Sequence, residues 1–179
     1  MARRWAVAAL AVAVGASGRV EAQSCDAPAF KDAPSIGAGK PEHVLTGDFD
    51  RDGKPDVVVA SLDLQILFHR GLGDGTFGAA LVSPLTDPAG PIVSGDFNRD
   101  GVLDLMLVLD RGGSSDVLGF MKGNGDGTFA PLAAITSDGD FVALLAGHFR
   151  DPSHLDLVLS DGGSSGGVYF LAGVGNGTF

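Results

Sequence analysis

Gly47-Asp48-Phe49-Asp50-Arg51-Asp52-Gly53-Lys54-Pro55-Asp56-Val57-Val58-Val59 is the stretch that decides the fold. Carboxylates stand at 48, 50, 52 and 56, a glycine able to take positive φ stands at 53, and an apolar run starts directly after Asp56. This reads as a tight acidic turn that feeds a short strand. The stretch recurs as Gly95-Asp96-Phe97-Asn98-Arg99-Asp100-Gly101 and, eroded, as Gly147-His148-Phe149-Arg150-Asp151-Pro152-Ser153. Each copy leads into an Asp and an apolar run: Asp56-Val57-Val58-Val59, Asp104-Leu105-Met106-Leu107 and Asp156-Leu157-Val158-Leu159. A second signature follows each: Gly73-Asp74-Gly75-Thr76-Phe77, Gly125-Asp126-Gly127-Thr128-Phe129 and Gly175-Asn176-Gly177-Thr178-Phe179. Two signatures that return in the same order every ~50 residues mark a solenoid or a propeller.

The spacings show where this repeat accepts insertions. The first loop position and its last Asp are separated identically in all copies (48 to 56, 96 to 104, 148 to 156). From that Asp to the Thr of the second signature the distance varies (56 to 76, 104 to 128, 156 to 178). The variation falls around Leu62-Asp63, Gly112-Gly113-Ser114-Ser115 and residues 162–165, which therefore read as solvent-facing turns. In the second copy the strands are predicted at Ile92–Ser94, Leu105–Leu109, Val117–Met121 and Phe129–Ile135. No window sustains a capped helical periodicity. The expected fold is all-β: a partial β-propeller of four-stranded antiparallel blades, about three of them, with repeats at 41–90, 91–138 and 139–179.

Composition agrees and excludes several functions. Of 179 residues 28 are Gly, well above the roughly 7% of an average chain, so many tight turns separate short elements. Asp and Glu total 22 against 12 Lys and Arg, which excludes binding to a nucleic-acid backbone. A single Cys, Cys25, allows neither an internal disulfide nor a Cys-x-x-Cys metal site. Residues 1–22 read as a signal peptide: Arg3-Arg4, an apolar run from Trp5 to Ala16, and a small-residue cleavage site at Val20-Glu21-Ala22. The run is too short to span a membrane, so a secreted or cell-surface protein is expected. Residues 23–40 form an N-terminal segment, in which 29–36 read as a strand that closes a ring. At Phe179 the third blade's fourth strand would begin, so the chain reads as part of a larger ring, completed by further blades or by self-association.

These paired signatures resemble the FG-GAP/VCBS repeat, the unit of the integrin α-subunit propeller, with the Phe-Gly of the name standing as Phe77-Gly78. The resemblance covers about residues 29–179. It implies calcium in the loop between the first and second strands of a blade.

The loop residues themselves suit a hard cation that takes six to eight oxygen ligands. The first loop offers Asp48, Asp50, Asp52, the Lys54 carbonyl and Asp56; the second offers Asp96, Asn98, Asp100, the Val102 carbonyl and Asp104. Unlike an EF-hand, the loop ends its side-chain ligands at position 9, because position 12 is Val59 or Leu107 within a strand. Zinc and copper would favour His or Cys. In the third loop His148, Arg150 and Pro152 displace three ligands and Arg150 puts a positive charge where the ion would sit, so no calcium is expected there. A transition-metal site at His148, His154 and Asp156 is the weaker reading of that erosion. No nucleophile or hydrolase motif is present in the sequence, and Asp74 and Asp126 are equivalent turn positions rather than an acid–base pair. Two functions remain: an exported calcium-binding module that presents loops to a protein or glycan, or the propeller portion of a secreted polysaccharide-degrading enzyme whose catalytic residues lie elsewhere. The variable turns mark the face opposite the acidic loops as the better ligand surface.

Overall fold

The computed structural model describes residues 36–112, 116–136, 139–164 and 166–179. The predicted signal peptide, Cys25 and nearly all of the ring-closing strand at 29–36 lie outside the described residues.

Every regular element among the described residues is a strand, and no helix there is long and apolar enough to cross a membrane. Blade 1 holds β1 (Pro41–Gly47), β2 (Asp56–Ser61), β3 (Gln65–His69) and β4 (Leu81–Pro84). Blade 2 holds β5 (Ala89–Gly95), β6 (Asp104–Leu109), β7 (Val117–Met121) and β8 (Ala133–Thr136). Blade 3 holds β9 (Phe141–Gly147), β10 (Asp156–Asp161) and β11 (Gly167–Leu171). Each blade is an antiparallel sheet whose strands lie in chain order. The first strands are neighbours, with β5 lying beside both β1 and β9. That common inner position makes the three sheets consecutive blades of a partial propeller.

Two predicted strand limits are corrected. The first strand of blade 2 is longer than Ile92–Ser94, running from Ala89 with a bulge before Ile92. The fourth strand begins at Ala133 instead of Phe129. Phe129 instead pairs with Gly123 in an isolated bridge, as Phe77 does with Gly71 in blade 1. The aromatic residue thus belongs to the turn, and the chain steps outward before joining the sheet. In blade 2 Pro131, which has no N–H to donate, stands in that step.

Strand alternation divides the core into two layers. On β6, Leu105, Leu107 and Leu109 pack against Val58, Ala60, Ile66 and Phe68 of blade 1. Met106 and Val108 point the other way and pack, with Leu118, against Leu144, Leu157 and Leu159 of blade 3. This is why the run following Asp104 is continuously apolar rather than alternating: both faces of β6 meet another blade.

Each layer is closed at the loop end by a pair of aromatic rings. Phe129 of blade 2 meets Phe49 of blade 1 edge to face at 5.9 Å between centroids. Phe179 of blade 3 meets Phe97 of blade 2 at 6.2 Å in the same manner. The Phe of the second signature therefore clasps the preceding blade. Its glycine is needed for the approach: a Cβ on Gly127 would lie 2.1 Å from the Phe68 ring, and one on Gly177 2.8 Å from Phe120.

Candidate metal centre

The first two acidic loops fold alike because their side chains organise their own backbone. Asp48 Oδ2 accepts from the Gly53 N–H at 3.0 Å, and Asp96 Oδ2 from the Gly101 N–H at 2.9 Å. Asp50 and Asn98 accept from the N–H two residues on (3.1 and 2.9 Å), and so do Asp52 and Asp100 (2.9 and 3.0 Å). These local bonds suit Asp and Asn to turns whether or not an ion is bound. Arg51 and Arg99 take φ of 63° and 64°, followed two residues on by Gly53 and Gly101 at 82° and 80°.

In the first loop Asp48, Asp50 and Asp56 converge, with one carboxylate oxygen of each within 4.8 Å of the others. Among the described residues no other group of three His, Cys, Asp or Glu gathers so closely. Asp48 Oδ1 is buried and has no hydrogen-bond partner among the described residues. Burial raises the pKa of Asp50, and the nearby charge of Asp56 adds to this. Such a cluster carries more negative charge than the one arginine beside Asp50 balances, which fits a cation bound by oxygen ligands.

Asp52, expected as a ligand, is not one of the three that converge. Its carboxylate lies 3.1 Å from the Arg70 guanidinium and 3.5 Å from the Lys54 ammonium. Burial works against its charge, but the Lys54 N–H and these two cations outweigh burial and lower its pKa. Arg70 also reaches Asp50, at 2.6 Å. In the second loop Asp100 plays the part of Asp52, held by Lys122 at 3.0 Å. Position 3 there is Asn98, whose amide lies 3.5 Å from Asp104, so the second loop has one carboxylate fewer facing inward. Val102 buries its side chain beside Gly123 and Gly125. Burial drives Asp104 up to about 6, against the pull of the Gly123 N–H and helped by the charge of Asp100.

Asp56 and Asp104 have a second role that the spacing alone did not reveal. Both are fully buried. Asp56 accepts from the Phe49 N–H (2.9 Å) and from the Gly71 N–H (2.8 Å), tying the acidic loop to the chain leaving the third strand. Asp104 ties Phe97 to Gly123 in the same way, at 3.1 and 2.9 Å. Asp156 bonds the N–H groups of Arg150 and Gly173. The glycines admit no side chain, since a Cβ on Gly71, Gly123 or Gly173 would stand 2.0, 2.2 or 1.9 Å from a backbone carbonyl oxygen. They are legible in the sequence as a Gly two residues ahead of every second signature.

The third loop is built differently. Arg150 replaces Asp50 and lays its guanidinium on Asp156 at 2.8 and 3.0 Å, with a further bond to the Gly173 carbonyl at 2.7 Å. The bond to Arg150 is the main cause of the lowered pKa of Asp156. His148 turns its ring to the His154 carbonyl, and His154 turns to Asp151. His148, His154 and Asp156 therefore do not come together as metal ligands, and no residue of this loop adopts positive φ.

Asp74 and Asp126 accept hydrogen bonds from Thr76 and Thr128, and Asn176 does the same for Thr178. An amide that serves as well as a carboxylate identifies a turn, not an acid–base pair.

Residues 48–107 match the family model of the FG-GAP-like repeat, a span that runs from the first acidic loop to the strand after the second. The chain thus carries an FG-GAP-like repeat within a propeller-like module. No curated protein matches the chain.

Proposed function

We propose that this chain is an exported, calcium-binding β-propeller module that presents its loops to a protein or glycan. The observation that carries the metal assignment is the convergence of Asp48, Asp50 and Asp56, with the buried Asp48 Oδ1 lacking a partner among the described residues. An all-oxygen donor set on a short loop favours calcium over zinc or copper. The Lys54 and Val102 carbonyls and water would complete the coordination. Asp96, Asn98, Asp100 and Asp104, on an equivalent backbone, would form a second and weaker site. The third loop supplies its own cation in Arg150 and needs none. Export rests on the signal-peptide pattern of residues 1–22, and extracellular calcium is abundant enough to fill sites of 10⁻⁴–10⁻³ M.

The ion would hold the acidic loop against the Phe49 clasp and make the loop face rigid. The opposite face, with the variable turns at 62–64 and 162–164, is the assigned ligand surface.

Thermal melts in EDTA and in calcium test the metal assignment. Occupancy contributes about 2.7 kcal/mol per site at a hundredfold excess over Kd. The midpoint should rise with calcium, and Asp48→Asn should remove most of the rise. An unchanged midpoint in the native chain refutes the assignment.

A further inference from the structure

The backbone already engages most of the carboxylate oxygens that converge in the first acidic loop. Asp56 accepts from the Phe49 N–H at Oδ2 and from the Gly71 N–H at Oδ1. Asp48 accepts from Gly53 at Oδ2, and Asp50 accepts from Asp52 at Oδ1. Two oxygens of the three carboxylates receive no backbone donor among the described residues: Asp48 Oδ1 and Asp50 Oδ2. Arg70 takes the second. Its Nε lies 2.6 Å from Asp50 Oδ2, and its Nη2 lies 3.1 Å from Asp52.

The two partners differ sharply in burial. The Asp50 side chain is 6% exposed and the Arg70 side chain 52%. A carboxylate buried to that degree needs a cation beside it, whereas a guanidinium half in water loses little by leaving. Lys122, the equivalent of Arg70 in blade 2, is 51% exposed although a blade flanks it on either side, so the exposure belongs to the position and not to where the described chain begins. The backbone at Arg70 is held fast. Its carbonyl accepts from the Gly78 N–H at 2.8 Å, and the N–H that follows it, on Gly71, is bound by Asp56. The side chain can therefore swing away without disturbing the strand end that carries it.

We infer that Arg70 is a tethered counter-ion of the first loop, which holds Asp50 and Asp52 while the loop is metal-free and gives way to a divalent cation. The inference rests on the calcium reading of that loop and adds what sets its affinity. Asp50 Oδ2, with no backbone donor, is the oxygen that Asp50 has to offer an ion, so ion and guanidinium compete for it. A monovalent ion would exchange one unit charge for another. A divalent ion brings one charge more to three converging carboxylates. The arrangement therefore discriminates against sodium and keeps calcium binding weak and reversible.

Calorimetric titration of the full chain with calcium, native and Arg70→Gln, provides the test, read at the tighter phase. A unit charge one carboxylate away opposes a divalent ion by about tenfold in Kd at physiological salt, so Arg70→Gln should bind calcium about tenfold more tightly. The same variant should melt at a lower temperature in EDTA, where Asp50 has lost its cation. A second measurement uses the native chain alone: the Arg70 Nε–H signal in nitrogen NMR should be protected from solvent exchange in EDTA and lose that protection in calcium. Calcium binding by the variant and not by the native chain would also support the inference. Equal or weaker binding by Arg70→Gln, beside a native chain that binds, would overturn it and leave the calcium reading standing. An Nε–H signal unaltered by saturating calcium, or an EDTA midpoint that Arg70→Gln does not lower, would overturn it as well. Failure of both chains to bind calcium would overturn the inference and the calcium reading together.

Discussion

Phe129→Ala and Phe77→Ala replace the same residue of the same signature, yet they should differ several-fold in cost. Phe129 is almost fully buried, lies in the layer between blades 1 and 2, and meets Phe49 edge to face. Truncating a buried Phe costs about 3–5 kcal/mol, of which an aromatic pair accounts for about 0.5–1.5. Phe77 meets no such ring among the described residues and keeps over a third of its surface in water, so its truncation should cost about 1 kcal/mol or less. Urea denaturation measures both. With a slope of about 2 kcal/mol/M, Phe129→Ala should lower the midpoint by about 2 M and Phe77→Ala by no more than about 0.5 M. Equal shifts would refute the reasoning, because they would mean that the signature's Phe stabilises its own turn instead of the neighbouring blade.

Arg150→Met should lower the denaturation midpoint of the native chain and leave the calcium response unaltered. Arg150 holds the Asp156 pKa below the usual carboxylate range, a contribution present above the unfolded-state pKa and lost as pH falls, so the loss should be larger at pH 7 than at pH 3. A loss independent of pH would show that Arg150 acts by packing alone. Asp104 should titrate near 6 in EDTA when followed by carboxyl NMR. Because its folded pKa is raised, this group favours the metal-free fold at low pH and penalises it as pH rises from about 4 to 6. A bound cation needs the carboxylate, so calcium should drive the titration below the usual Asp range, and affinity at the second loop should weaken as pH drops through 6. Titration near 4 without metal would remove this pH dependence.

Much of the fold is legible in the sequence because the repeat states its own register. Asp56, Asp104 and Asp156 each start the second strand of a blade, and Val117–Met121 is β7 as expected. The start of the fourth strand is not legible because Phe129 and Ile135 share an apolar character that does not reveal a change of direction between them. Phe129 points into the neighbouring blade, and the sheet resumes only at Ala133. The acidic loops are recognisable from Asp spacing, but the spacing does not say which carboxylates face inward. Asp50 and Asp52 both pair with Arg70, a residue 18 positions beyond Asp52 that no local pattern connects to the loop. The clamp formed by Asp56 with Gly71 is equally non-local.

That clamp gives Asp156 a role that needs no metal, although His148, Arg150 and Pro152 stand where the other loops carry candidate ligands. If position 9 served only as a metal ligand, nothing would hold Asp156 once His148, Arg150 and Pro152 had replaced its companions. Asp156 is retained in a setting where its backbone partners, Arg150 and Gly173, still need a buried acceptor. A buried carboxylate also needs a counter-charge. In blades 1 and 2 the residue that follows the third strand is Arg70 or Lys122, and each lays its charge on the acidic loop. The corresponding residue of blade 3 is Ala172, which has no charge to give. Arg150, arriving from within the loop, supplies a cation instead, and lays it directly on the buried Asp156. The first and third loops therefore answer one electrostatic problem in two ways: the first gathers carboxylate oxygens that could hold an exchangeable cation, and the third lays a covalently tethered one on its buried Asp.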